Sequence, residues 1–160
     1  MTVALLAVLC APARADDAGV WSAYNGRDPE LDHALEAHDR ASHRYQHSHG
    51  LAPRRIRAVI AADRELVAVL GQLAGEVKAQ EPSTPLGKRA QTLAVRGETA
   101  WKLSQAYEIK ALRNRLHGHD LSSDRWYRKC LQIGKRSVRY LRRAEAAFRK
   151  AGFRRPPEGD

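Results

Sequence analysis

APRRIRAVIAADRELVAVLGQLAGEVKAQ, residues 52–80, is the stretch whose reading decides the fold. Ile56, Val59, Ile60, Leu66, Val67, Leu70, Leu73 and Val77 recur every three or four positions, the period of a helix with one buried face, and not the alternation of a strand. Ala52-Pro53 opens the stretch with proline at a first helical position. Glu81-Pro82-Ser83-Thr84-Pro85 closes it, because two prolines so near each other cannot continue a helix.

The same period extends to both sides. Upstream, Asp28-Pro29 starts a helix with the inner stripe Leu31, Leu35, His38, Ala41 or Ser42, and Tyr45, and Gly50 ends it. Downstream, Leu86, Ala90, Leu93, Gly97, Ala100, Leu103 and Tyr107 mark a third helix, whose recurrent small residues let a neighbouring backbone come close. A fourth begins at Ser122 or Ser123 and repeats Trp126, Cys130, Ile133, Ser137, Leu141, Ala144 and Phe148, with Gly152 as its stop. The fold class is therefore all-α, four long helices joined by short links that favour antiparallel neighbours. That order brings the links at 49–53 and 117–122 to one end, with most of the histidines.

The chain has 160 residues and a formal charge of +10. Twelve Lys or Arg lie between Asp124 and Arg155 against two acids, so this one segment equals the whole net charge. At the start, the apolar run Val3–Leu9 leads to Ala13-Arg14-Ala15, a small-x-small pattern that a signal peptidase accepts. The run is too short for a membrane span, which needs about 20 apolar residues. The expected layout is a signal peptide over 1–15, a linker over 16–27, one helical domain over 28–152 and a basic, proline-containing tail over 153–160. Cleavage makes the protein periplasmic or secreted and removes Cys10, leaving Cys130 without an internal disulfide partner. Cys130 falls on an apolar stripe, so a buried, inert thiol is expected.

Residues 34–41, ALEAHDRA, resemble the second helix of a tetratricopeptide repeat, with Ala34, His38 and Ala41 in the places of alanine, large aromatic and alanine. Ala100, Leu103, Ser104 and Tyr107, followed by Ser123, Tyr127 and Cys130, look like a second helix pair of this kind. The chain departs from the pattern in its histidine at 38, a longer turn in the second pair, no closing proline, and a second helix about twice the length of a repeat helix. RDPELDHALEAHDRA, and WKLSQAY followed by WYRKCLQIGKRSV, are similar to the T-component family of TRAP-type solute transporters. The resemblance covers about half the chain and implies TPR-like hairpins and a periplasmic protein that associates with a solute-binding component.

No Gly-rich nucleotide loop, nucleophile elbow, H-E-x-x-H or haem-attachment motif is present, so nucleotide-use, hydrolase, zinc-protease and covalent-haem readings have no motif support. Acidic side chains read as scattered among basic ones on helix surfaces, with no isolated carboxylate pair. The histidines are the chemical candidate. Asp39, His43 and His47 line one face on consecutive turns, a donor set that suits zinc, copper or nickel, and His49, or His117 and His119, would complete it. An exposed polar row or a pH-responsive end are the other readings of these residues. His38 lies on the inner stripe, where a hydrogen-bonded core imidazole is expected.

Trp101, Trp126, Tyr107 and Tyr127 lie on or beside apolar stripes and are read as packing residues, and Trp21 and Tyr24 as a staple for the N-terminus. Arg125, Arg128, Lys129, Lys135, Arg136, Arg139, Arg142 and Arg143 form the expected partner-binding surface. Export argues against nucleic acid as the partner. The sequence thus points to an exported, non-enzymatic scaffold for a protein partner. Its alternatives are a periplasmic metal-binding protein with a histidine-rich end, and an electrostatic adaptor for anionic envelope polymers.

Overall fold

The computed structural model describes residues 15–25, 29–47 and 52–153, all of them in helices or the short turns that join them. The helices are α1 (Ala15–Asn25), α2 (Pro29–Gln46), α3 (Pro53–Ala79), α4 (Pro85–Leu116) and α5 (Asp120–Lys150). The four long ones match the sequence reading. The signal-type run, His49 and the 154–160 tail lie outside the described residues.

Local chemistry fixes the boundaries. Proline begins α2, α3 and α4, where its missing N–H costs nothing. Thr84 caps α4, its side chain accepting from Gly87 N at 2.9 Å. At the far end of α4, Gly118 takes φ +75°, and His119 N and Gly118 N donate to Asn114 O and Arg115 O, closing the last turn. Gly152 ends α5 in the same way at φ +94°, with Phe153 N donating to Phe148 O.

Each long helix packs on its neighbour in sequence, α2 on α3, α3 on α4 and α4 on α5. Directions alternate. Ala34 meets Leu66–Leu73 while Tyr45 meets the start of α3. Gln91 Nε2 donates to Val77 O, yet Leu112 packs with Ile56. Ser137 Oγ donates to Gly97 O at 2.8 Å and Ser104 Oγ to Cys130 O at 2.9 Å, so α5 runs back along α4. The α4–α5 seam is close because it is built of small residues. A Cβ added at Gly97 would lie 2.5 Å from Leu141 Cδ2 and 3.2 Å from Leu141 N.

Residues 16–25, expected as part of a linker, belong to α1, which lies against α3 and α4. Val20 joins Val77, Ala90, Ala94, Ala144 and Phe148 in one buried cluster. Trp21 and Tyr24 both pack on Phe148, ring centroids 5.0 Å away, and Tyr24 Oη donates to Leu141 O at 3.4 Å. Asp17 fastens the other face: Oδ1 accepts from Ser83 N at 2.9 Å and Thr84 N at 3.2 Å, and Oδ2 accepts from Thr84 Oγ1. Tertiary docking thus makes a helix of a segment too short to be stable alone.

Candidate functional site

Midway along the array, four helices turn polar side chains toward one buried point. Asp63 continues the inner stripe of α3 between Val59–Ile60 and Leu66, and is 0% exposed. Gln105 and Glu108 come from α4, a turn apart, and His38 from the inward face of α2. Cys130 approaches from α5.

His38 Nε2 lies 3.4 Å from Asp63 Oδ1 and 3.3 Å from Ser42 Oγ, while Nδ1 faces Asp39 Oδ1 at 3.3 Å. The Gln105 amide, in the orientation its acceptor neighbours require, donates to Asp63 Oδ1 and Glu108 Oε2, both at 3.1 Å. Cys130 Sγ is 4.0 Å from Glu108 Oε2 and 3.4 Å from Ser104 Oγ. The second oxygen of Asp63, Oδ2, is buried with no hydrogen-bond partner.

Burial, reinforced by the charge of Glu108, pushes the Asp63 carboxyl up to about 8. Burial also raises Glu108, against the lowering effect of His38. The Cys130 thiol is raised by burial, opposed by the Ser104 hydrogen bond and aided by Glu108 and Asp63. A buried thiol is what the sequence suggested.

Donor atoms of His38, Asp63 and Glu108 lie within 4.8 Å of one another, the one such group of three among the described residues. The expectation of no isolated carboxylate pair is therefore corrected. The signal was register: Asp63 and Glu108 keep step with the apolar stripes of their helices, whereas scattered surface acids do not.

The histidine-rich set is placed differently. Asp39, His43 and His47 are exposed, with the two rings 4.2 Å apart. His117 and His119 are also exposed, rings 6.4 Å apart, at the α4–α5 turn. These five residues do not form a donor group of three or more. His38, read as a core imidazole, is the histidine that meets the buried Asp63 and the half-buried Glu108.

Arg125, Arg128, Lys135, Arg136, Arg139, Arg142 and Arg143 are exposed on α5. Lys129 is half-buried, its Nζ 4.5 Å from the Trp126 ring centroid, and that ring stacks on Tyr107 at 5.6 Å. Tyr127, read as a packing residue, is instead 48% exposed. The reason is position: α5 is the edge helix, packed along α4 and meeting α1 only near its end.

Tyr127, Leu131, Gly134 and Val138 form a second seam at four-three-four spacing beside the buried one, with Leu131 49% and Val138 47% exposed. An open groove of about 690 Å³ follows this seam, with Lys135, Arg139 and Arg142 along it and Cys130 at its base. Comparison with family models, curated proteins and solved structures finds no match.

Proposed function

We propose that this chain is an exported, non-enzymatic helical scaffold that receives an acidic, amphipathic helix of a protein partner along the open flank of α5. One observation carries the reading: the edge helix presents Leu131 and Val138 to solvent beside Lys135, Arg139 and Arg142. A seam with four-three spacing and a glycine at its centre matches what a packed helix needs, apolar knobs with room for close approach. The flanking cations favour carboxylates on that helix and steer its approach. A purely electrostatic adaptor for anionic polymers would make no use of Leu131 and Val138.

Export rests on Val3–Leu9 and Ala13-Arg14-Ala15. No described helix is long and apolar enough to cross a membrane. The similarity to T-components makes a solute-binding component the partner to seek. The lengths of α3, α4 and α5, 27, 32 and 31 residues, favour a long-helix array over stacked repeat units of about 34 residues each.

A photo-crosslinking residue at position 131, in the chain expressed with its N-terminal segment, is expected to capture an envelope protein. Leu131→Asp with Val138→Asp should weaken that capture at least tenfold without loss of helix content. Equal capture by the double variant would remove the docking reading. Mass measurement of the exported chain should place its first residue at Asp16, and an uncleaved chain would remove the export reading.

A further inference from the structure

We infer that His38, Asp63 and Glu108 form a binding site for one divalent transition ion of the zinc class. The inference is independent of the docking reading and rests on different residues.

Three helices each contribute one donor, an imidazole nitrogen and two carboxylate oxygens, within 4.8 Å of one another. Ligand bonds of about 2.0–2.1 Å in a tetrahedral zinc site put neighbouring donors about 3.3 Å apart. The separation of 3.4 Å between His38 Nε2 and Asp63 Oδ1 is that edge. Glu108 must draw in by no more than a side-chain adjustment. The Gln105 amide now fills the space between the two carboxylates, 3.1 Å from each, and an ion entering there displaces it.

Asp63 Oδ2 is the second, separate observation. It belongs to a side chain with 0% exposure and has no donor. A structural hydrogen-bond network leaves few buried oxygens in that state, because each unmet acceptor costs about 1–3 kcal/mol. Binding of the ion through both oxygens of this carboxylate would satisfy it while Oδ1 keeps its edge to His38.

The imidazole is also oriented as metal-binding imidazoles are. Nδ1 faces Asp39 Oδ1, and the tautomer that donates Nδ1–H there leaves the Nε2 lone pair inward, for the Ser42 hydroxyl or for an ion in its stead. That lone pair faces a carboxylate oxygen, two acceptors with a gap between them that a cation suits. Asp39 is then a positioning residue and not a ligand. Nitrogen in the donor set favours zinc, cobalt or nickel over calcium or magnesium. Three protein donors leave a tetrahedral ion one position for water. His38, with an 18% exposed side chain, marks the entry from solvent.

Titration of the metal-stripped full chain with Zn²⁺, read by calorimetry and thermal melting, tests the site. One equivalent should bind, and the melting midpoint should rise with zinc concentration. Asp63→Asn and Glu108→Gln keep side-chain shape and helix content and should each weaken binding at least tenfold. Asp39→Ala should weaken it about tenfold through loss of ring orientation. His43→Ala with His47→Ala should leave it unchanged. Co²⁺ should give the intense visible bands of a tetrahedral site without a thiolate charge-transfer band. Absence of one-equivalent binding overturns the inference. So does binding that survives both Asp63→Asn and Glu108→Gln, or that disappears with the His43 and His47 pair, which would assign it to the exposed histidines.

Discussion

Glu98 is a buried carboxylate on α4 with 7% exposure, and its Oε2 has no hydrogen-bond partner. Burial, and then the charge of Glu76, raises it from 4.5 to about 7. The folded state therefore holds this proton more tightly than the unfolded chain does. Its penalty on stability is absent below about pH 4.5, grows as pH rises, and is complete above about pH 7. At 1.36 kcal/mol per pH unit the full penalty is about 3 kcal/mol. Glu98→Gln should flatten the fall in urea midpoint between pH 5 and 8, and a slope equal to the parent's would refute this.

Asp17 has the opposite sign. Burial raises its carboxyl, but the bonds from Thr84 and Ser83 outweigh burial and hold it below its ordinary value. Its clasp is thus present at neutral pH and is lost as acid protonates it. A Cβ at Gly87 would fall 2.3 Å from Asp17 Oδ1. Both Asp17→Ala and Gly87→Ala should cost about 1–3 kcal/mol in chemical denaturation. An unchanged midpoint in both would show that the clasp adds no stability. At this scale the sequence was least informative, since nothing in the string distinguishes Asp17, Asp63 or Glu98 from a solvated acid except its register with apolar neighbours.

The elements were far more legible. Proline at the start of α2, α3 and α4, the double proline before α4, and the left-handed glycines 118 and 152 are local signals, so the long helices follow from the chain itself. The small residues of α4 were equally readable as the basis of a close approach. Gly97→Val should cost about 1–3 kcal/mol or more in denaturant melts, because Leu141 blocks the space with both side chain and backbone. Tolerance of valine there would mean the seam is looser than the 2.5 Å approach indicates. Helix α1 was missed for the opposite reason. Gly19 weakens its helical signal, its length is only 11 residues, and its order comes from contacts with Phe148, Leu141 and, through Asp17, Ser83 and Thr84, all remote in sequence.

At the scale of the whole molecule, the open order of the array decides which surfaces remain. Consecutive helices pair and the edge helix keeps a wet flank, which no periodicity could reveal because it depends on whether α5 closes back onto α2. The buried polar cluster likewise needs four helices to exist. Removal of α1's first turns tests how far the ends of the chain matter. A chain beginning at Trp21 should be less stable than one beginning at Asp16 by about 3 kcal/mol, having lost Val20 and Asp17. Equal melting temperatures would make α1 an ornament.

The contact between Tyr24 and Leu141 spans 117 positions, whereas the long helices meet mostly their neighbours. The hairpins can collapse early, on the fast timescale of local pairing, and α1 can then grip α3 and α4 through Val20 and the Asp17 clasp, but its aromatic contacts must wait for the end of α5. Synthesis or export would thus deliver an α1 held on one face only until Phe148 arrives. Chains interrupted before that residue should be cut by protease within α1, where the finished protein resists.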